Sequence, residues 1–366
     1  MAGAGAALLP SVAEAQVSSG NVIELFIDQV DAEMIDGTFV FSLMFFDAIE
    51  EGRPVVRVTE GEGVTISVTN LDTRPHGFAI SGIPTASIAD IPPGATAEVS
   101  FVAPVGGSYM YYDPTLAPLN RILGLYGAFL VTPVEGRTLK GSPTPYSRAT
   151  HTPAITALFD ALGTTTRFKG GKWNPSDPAR DKLWIFSQVD PNLNARVEAG
   201  ELVPPASIVP SFVPRYFTIN GLSGYDTAIH DVGSDVDWTR GAGLIMPRGR
   251  QGQPTLIRTM NAGLATHSPH IHGNHVMEMT ETNLATGEMK IESNIYELDA
   301  WMMAPMMRKD MLLPFEKPGD AAVWPPKQEP FPLRYVMHCH TEMSQTAGGG
   351  NYPQGLVTHW EMTGAI

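Results

Sequence analysis

Cysteine is almost missing from this chain. Of 366 residues only Cys339 carries a thiol, which excludes an intrachain disulfide. Positive charge is also scarce. There are 24 Lys and Arg against 38 Asp and Glu, a net charge of −14, so nucleic acid and anionic membrane surfaces find no complementary partner. No apolar run reaches the roughly 20 residues of a membrane span, so no membrane insertion is expected. Charged residues make up only 17%. What is plentiful instead is apolar residues (43%), glycine (36) and proline (31). A chain of this length can form two ordinary domains with large cores, and frequent turn formers favour many short strands over long helices. The acidic surface serves solubility and would also suit a neutral or cationic substrate.

Ala2 to Gln16 is small and apolar and ends in Ala13-Glu14-Ala15. This resembles the end of a secretory signal with an A-x-A cleavage site. Residues 1–20 are therefore read as an export-signal remnant outside the fold, and the protein is expected to be periplasmic or secreted. A plain N-terminal tail is the alternative. From Val22 to Val131 apolar and polar residues alternate, as in Val64-Thr65-Ile66-Ser67-Val68. Turn formers such as Pro92-Pro93-Gly94 separate the runs. That pattern predicts an all-β first domain, a sandwich or barrel, over 21–133. Residues 134–180 are rich in Gly, Pro, Ser and Thr and read as a surface-packed linker, with a short helix over Ala154 to Leu162. Strand signals resume at Leu183-Trp184-Ile185-Phe186, which gives a second all-β domain over 181–366.

Chemistry concentrates in two histidine clusters. His267, His270, His272 and His275 lie close together, and His338 and His340 flank Cys339. Residues two apart on a strand share a face, and adjacent residues oppose. His270 and His272 then point one way, as do His338 and His340, while Cys339 points to the other face. His267, before Pro269, can turn toward the thiolate side. The result is two adjacent metal positions joined by a two-residue covalent path, Cys339 to His338 or His340. A thiolate with imidazole selects copper, and grouped imidazoles suit copper or zinc. A structural zinc site or a set of packed core histidines is the plainer reading of the same residues.

The motifs resemble those of multicopper oxidases. His267-Ser268-Pro269-His270-Ile271-His272-Gly273 resembles the family's H-x-x-H-x-H-G, and Met337-His338-Cys339-His340 its H-C-H. Pro254 to Arg258 with Asn261-Ala262-Gly263, and Phe217-Thr218-Ile219-Asn220-Gly221, resemble the strands leading to them. In the first domain Gly124-Leu125-Tyr126-Gly127 resembles the family's G-L-Y-G strand, and Pro75-His76-Gly77 part of an H-x-H-G motif. The resemblance implies two cupredoxin-like Greek-key β-barrel or sandwich domains, a copper cofactor, a thiolate copper and a cluster of imidazole-bound coppers. The implied metal residues are His76, His267, His270, His272, His338, Cys339 and His340.

The family pattern is incomplete here. The first motif of domain one reads Arg74-Pro75-His76 and keeps one histidine. The second reads Tyr111-Tyr112-Asp113-Pro114 and has none. Tyr112 or Asp113 could ligate through oxygen. Where the resemblance implies a second histidine of the thiolate copper stands Ser344, with Met343 beside it as a possible soft ligand and Leu356 near the axial position. The run Met302, Met303, Met306, Met307, Met311 offers thioethers that favour Cu(I), or ordinary flexible packing. These readings point to a copper-dependent oxidoreductase with a reduced copper set acting on a small-molecule substrate. A non-catalytic copper-binding or envelope scaffold is the alternative. With two domains, the half-sites would meet across subunits, and a ring of three closes such a head-to-tail contact, so a homotrimer is expected. A zinc hydrolase would need a water-activating partner, for which only Asp113 offers itself.

Overall fold

Strands form where alternating apolar side chains leave water on one face only. In Gly63–Asn70, Val64, Ile66 and Val68 are buried while the residues between them are mostly more exposed. The computed structural model describes residues 11–15, 22–47, 52–228, 241–319, 325 and 329–366. The segment read as an export signal lies outside the described residues except for strand 11–15, and His230 lies outside them altogether.

Among the described residues the first half contains ten strands: β1 (Ser11–Ala15), β2 (Val22–Glu33), β3 (Phe39–Phe46), β4 (Gly52–Thr59), β5 (Gly63–Asn70), β6 (His76–Ile80), β7 (Ile83–Ile91), β8 (Thr96–Val102), β9 (Gly107–Tyr112) and β10 (Tyr126–Thr132). They form two sheets, β1-β4-β10-β9-β6-β7 and β3-β2-β5-β8. Ile23, Leu25, Phe45, Ile66, Phe78 and Phe129 meet between them in one core. A single-turn helix, α1 (Leu119–Ile122), links β9 to β10.

The second half repeats the plan with β11 (Asp181–Val189), β12 (Tyr216–Ile219), β13 (Arg248–Gly249), β14 (Thr255–Asn261), β15 (Pro269–Ile271), β16 (Val276–Thr282), β17 (Met289–Leu298), β18 (Arg308–Leu313), β19 (Leu333–Cys339) and β20 (Val357–Met362). The sheets are β12-β11-β14-β18-β16-β17 and β13-β20-β19-β15. Parallel pairs β2 with β5, β4 with β10, and β11 with β14 sit among antiparallel ones, as chain crossovers between packed sheets require. The fold class is thus the all-β, two-sandwich one expected.

Residues 134–180 are more than a connection. Helix α2 (Pro153–Ala161) begins with Thr152, whose hydroxyl accepts from the Ile155 N–H, and with Pro153 in the first turn. Tyr146, Ile155, Phe159 and Trp173 pack onto Leu256, Met277, Met279 and Leu312 of the second half. Strands β14 and β18 are therefore buried on both faces and show no alternation. A third cluster, with Val55, Met110 and Leu130 on one side and Leu183, Ile185 and Met260 on the other, joins the two sandwiches. Among the described residues no helix is long and apolar enough to cross a membrane.

Candidate metal centre

The register of β15 and β19 builds the site. Pro269 pairs with Cys339, His270 with His338 and Ile271 with Met337. Beyond the strand ends, the His272 N–H donates to the Val336 carbonyl and the His340 N–H to the Ser268 carbonyl, so the alternation continues through His272 and His340. Four imidazoles emerge on one face. Ring centroids lie 4.7 Å apart for His270 and His272, 4.6 Å for His270 and His340, 5.1 Å for His272 and His338, and 5.2 Å for His338 and His340. Ligand atoms of His270, His338 and His340 all lie within 4.8 Å of one another, and Nε2 of His272 is 3.0 Å from Nε2 of His338. Two donors on one ion with bonds of about 2.0 Å sit about 3 Å apart, so this donor set fits a transition metal with small ring rotations.

The electrostatics favour the neutral, ligating form. Partial desolvation within the packed group of rings lowers the pKa of His272 and His338, and the neighbouring imidazoles lower it further, since each would repel a second charge. Nδ1 of His270 lies 2.8 Å from the Asp299 carbonyl oxygen. It therefore carries the proton and leaves Nε2 with a free lone pair. Asp299 gave no signal in the sequence because it acts through its backbone. His272 and His340 are exposed and His270 and His338 half-buried, so the group opens to solvent.

The opposite face is closed. Cys339, Ile271 and Met337 are each about 1% exposed, and His267 is 0%. His267 exchanges two backbone hydrogen bonds with Met303, which turns its ring between Phe186 and Phe217 and brings Nδ1 to 3.5 Å from Cys339 Sγ. The Ser268 N–H donates to the same sulfur at 3.3 Å. Burial depresses the His267 pKa to about 4. Gln188 decides its tautomer. The Gln188 Oε1 accepts from the N–H groups of Leu264 (2.7 Å) and Ala265 (3.0 Å), so the amide nitrogen faces His267 Nε2 and donates to it. Neutral His267 then carries its proton on Nδ1, toward sulfur. That is a hydrogen-bonded pair, with no lone pair aimed at a metal between the two residues.

The remaining expected ligands of a thiolate copper do not repair this. Ser344 is fully buried and its hydroxyl donates to the Thr341 carbonyl. Met343 is 54% exposed. Leu356 occupies the core beside Cys339. The donor set on this side does not fit a copper. In the methionine run, Met303, Met307 and Met311 are core residues and Met302 is exposed, so the run divides between packing and surface.

His76, grouped with the metal residues by the sequence reading, lies inside the first sandwich, 1% exposed, between two carboxylates. Nδ1 is 2.7 Å from Asp113 Oδ2 and Nε2 is 2.8 Å from Asp72 Oδ2. Both ring nitrogens thus face a carboxylate oxygen at hydrogen-bond distance. Asp113 is likewise spent: its oxygens accept from Gly77 N–H, Thr115 N–H and Asn120 Nδ2 as well. Asp72 also accepts from Gln29, Thr73 and Arg74. Burial raises its pKa, but these donors and His76 outweigh that and hold it at about 2. Asp72, four residues before His76, is the member of this triad that the sequence reading did not single out.

No family model matches the chain. An L-ascorbate oxidase of Cucumis sativus is 36% identical over 97 residues, 23% of this chain and 16% of that protein, so the match spans about a sixth of that relative. Solved structures align over nearly the whole chain. A blue copper oxidase from Nitrosomonas europaea has a TM-score of 0.65 at 18% identity, covering 93% of this chain and 85% of that one. The multicopper oxidase mgLAC gives 0.61 at 18%, covering 94% and 86%. A copper nitrite reductase from Nitrosomonas europaea gives 0.54 at 15%, covering 93% and 94%. The chain has the two-domain cupredoxin-like fold of the multicopper oxidases and copper nitrite reductases.

Proposed function

We propose that this protein is an exported copper-dependent oxidoreductase whose copper is held by His270, His272, His338 and His340, and which acts on a small molecule. One observation carries the proposal: four imidazoles converge on one strand face, with donor atoms at 3.0–4.8 Å and no carboxylate bridging them. Packed core histidines would each bond a separate partner, and the one carboxylate beside the cluster, Asp299, stands 4.0 Å from the Nδ1 side of His270. Copper supplies one-electron redox chemistry when bound. The chain's part is to present neutral imidazoles, to fix the His270 tautomer through Asp299, and to leave the cluster open on the solvent side for a small ligand.

Each copper takes two or three imidazoles, and four are available, so one or two coppers per chain are expected, with little phenol turnover. An incomplete cluster of this kind does not supply the set of coppers that four-electron reduction of dioxygen uses. The open histidine face is the surface that a ring of three subunits would cover. The sequestered His76 favours a second reading, a copper-binding scaffold without turnover. Metal analysis with paramagnetic resonance on purified protein tests the proposal. One or two coppers in nitrogen ligand fields, reducible by a small-molecule donor, support the oxidoreductase. Copper that binds but does not cycle supports the scaffold, and absence of bound copper overturns both. Sizing of the copper-loaded protein tests the trimer, and a monomer refutes it.

A further inference from the structure

A second, unrelated polar feature lies between the two sandwiches. A cavity of about 40 Å³ is lined from the first half by Ser42, Arg53 and Tyr126 and from the second by Ser187 and Thr218. Arg53 is 6% exposed. Its Nη2 donates to the Gly124 carbonyl at 3.2 Å and its guanidinium lies 4.0 Å over the Tyr126 ring. Nε and Nη1 are buried with no hydrogen-bond partner. Of the five N–H donors of an arginine, the three on these two nitrogens are therefore unused. Among the described residues no carboxylate belongs to the lining, and an arginine buried this deeply without a counter-charge costs several kcal/mol.

The hydroxyls add to the imbalance. Tyr126 OH donates to Ser187 Oγ at 2.8 Å, and Ser187 Oγ bonds Thr218 Oγ1 at 2.7 Å. Three hydroxyl protons serve two hydrogen bonds, so one remains at Ser187 or Thr218. The cavity thus offers unspent donors and a positive charge, with no anionic group of its own. A water needs roughly 10–15 Å³ measured this way, so the space suits about three such spheres and is small for a tetrahedral phosphate.

We infer that Arg53, with the Tyr126–Ser187–Thr218 hydroxyls, forms a binding site for a small planar oxoanion of formate or nitrate size between the domains. Binding supplies the acceptors that three guanidinium N–H groups lack, and ties the two sandwiches together through groups contributed by both. The site is separate from the histidine cluster and does not rest on its copper.

Thermal unfolding in sodium formate, with ionic strength held constant by gluconate, tests this. A saturable rise in melting temperature is expected for the wild type. The same rise is expected in His270→Ala/His272→Ala, which separates the site from any formate held at the histidines. Arg53→Gln should weaken the apparent formate affinity by about tenfold or more. Should Arg53→Gln fail to fold, Ser42→Leu, which fills the cavity and keeps the arginine, should abolish the response. Absence of a saturable rise in the wild type by about 100 mM formate overturns the inference. So does an unchanged response in Arg53→Gln or Ser42→Leu, or a response lost in the double histidine variant.

Discussion

Replacing His76 by leucine separates a structural histidine from a metal ligand. The side chains are similar in size, so the perturbation is chiefly electrostatic. It removes the contacts at 2.7 Å to Asp113 and 2.8 Å to Asp72 and leaves two carboxylates in the first sandwich without the ring between them. Removing one member of a buried ion pair costs about 3–5 kcal/mol. The other donors bound the loss: Asp72 keeps Gln29, Thr73 and Arg74, and Asp113 keeps Gly77, Thr115 and Asn120. The expected effect is a fall in melting temperature on the order of 10 °C. Copper per folded molecule should not change, because neither ring nitrogen is free to ligate. The assay pairs a circular-dichroism melt with metal analysis of the folded fraction. A variant that keeps its melting temperature but loses copper would refute the reasoning and return His76 to the metal centre.

Other consequences follow from the same geometry. Asp72 has its pKa lowered from 3.8 to about 2, so its contribution of roughly 2 kcal/mol is present above about pH 4 and lost as pH falls toward 2; Asp72→Asn should flatten that part of an acid-unfolding curve, and an unchanged curve counts against it. His270→Ala/His272→Ala should strip most of the copper, as should His338→Ala/His340→Ala, while His151→Ala should strip none, since His151 bonds Thr144 and the Tyr146 carbonyl; equal copper in all three, by metal analysis, would exclude the cluster. The copper-loaded protein should lack the intense blue thiolate band, because His267 presents Nδ1–H to Cys339 and Ser344 replaces an imidazole; a strong visible band abolished by Cys339→Ser would show that Gln188 does not hold the tautomer.

The strands and the cluster were legible because both depend on short-range pattern. Alternation in Val64 to Val68 marked a half-buried strand, and two-residue spacing in His270, His272, His338 and His340 placed four rings on one face. The helix expected over Ala154 to Leu162 is α2, Pro153–Ala161, one residue earlier because Thr152 caps it. What sequence could not show is set by contacts distant along the chain. Asp113 reaches His76 from 37 residues away and Gln188 reaches His267 from 79 away. Nothing around Gln188, in a strand of buried apolar residues, marks its amide as the group that orients a histidine. The methionine run shows the same limit, since spacing alone does not separate the buried Met303 from the exposed Met302.

The contrast between His76 and the cluster shows what converts a histidine into a candidate ligand. His76 is more deeply buried than any of the four, and each of its ring nitrogens lies against a carboxylate oxygen. In the cluster the neighbours are other imidazoles. They cannot all be protonated at such distances without repulsion, and the shifts of His272 and His338 run downward accordingly. A cation that accepts lone pairs relieves that arrangement, and a proton does so poorly. His267 gives a third outcome, neutral and buried like a ligand, yet turned by Gln188 so that its proton faces the sulfur. The same residue type thus serves as a buried partner of two carboxylates in the first domain, a metal-ready donor on one face of β15 and β19, and a hydrogen-bond partner of a thiol on the other. Copper uptake by this chain should accordingly follow the second domain's exposed face alone.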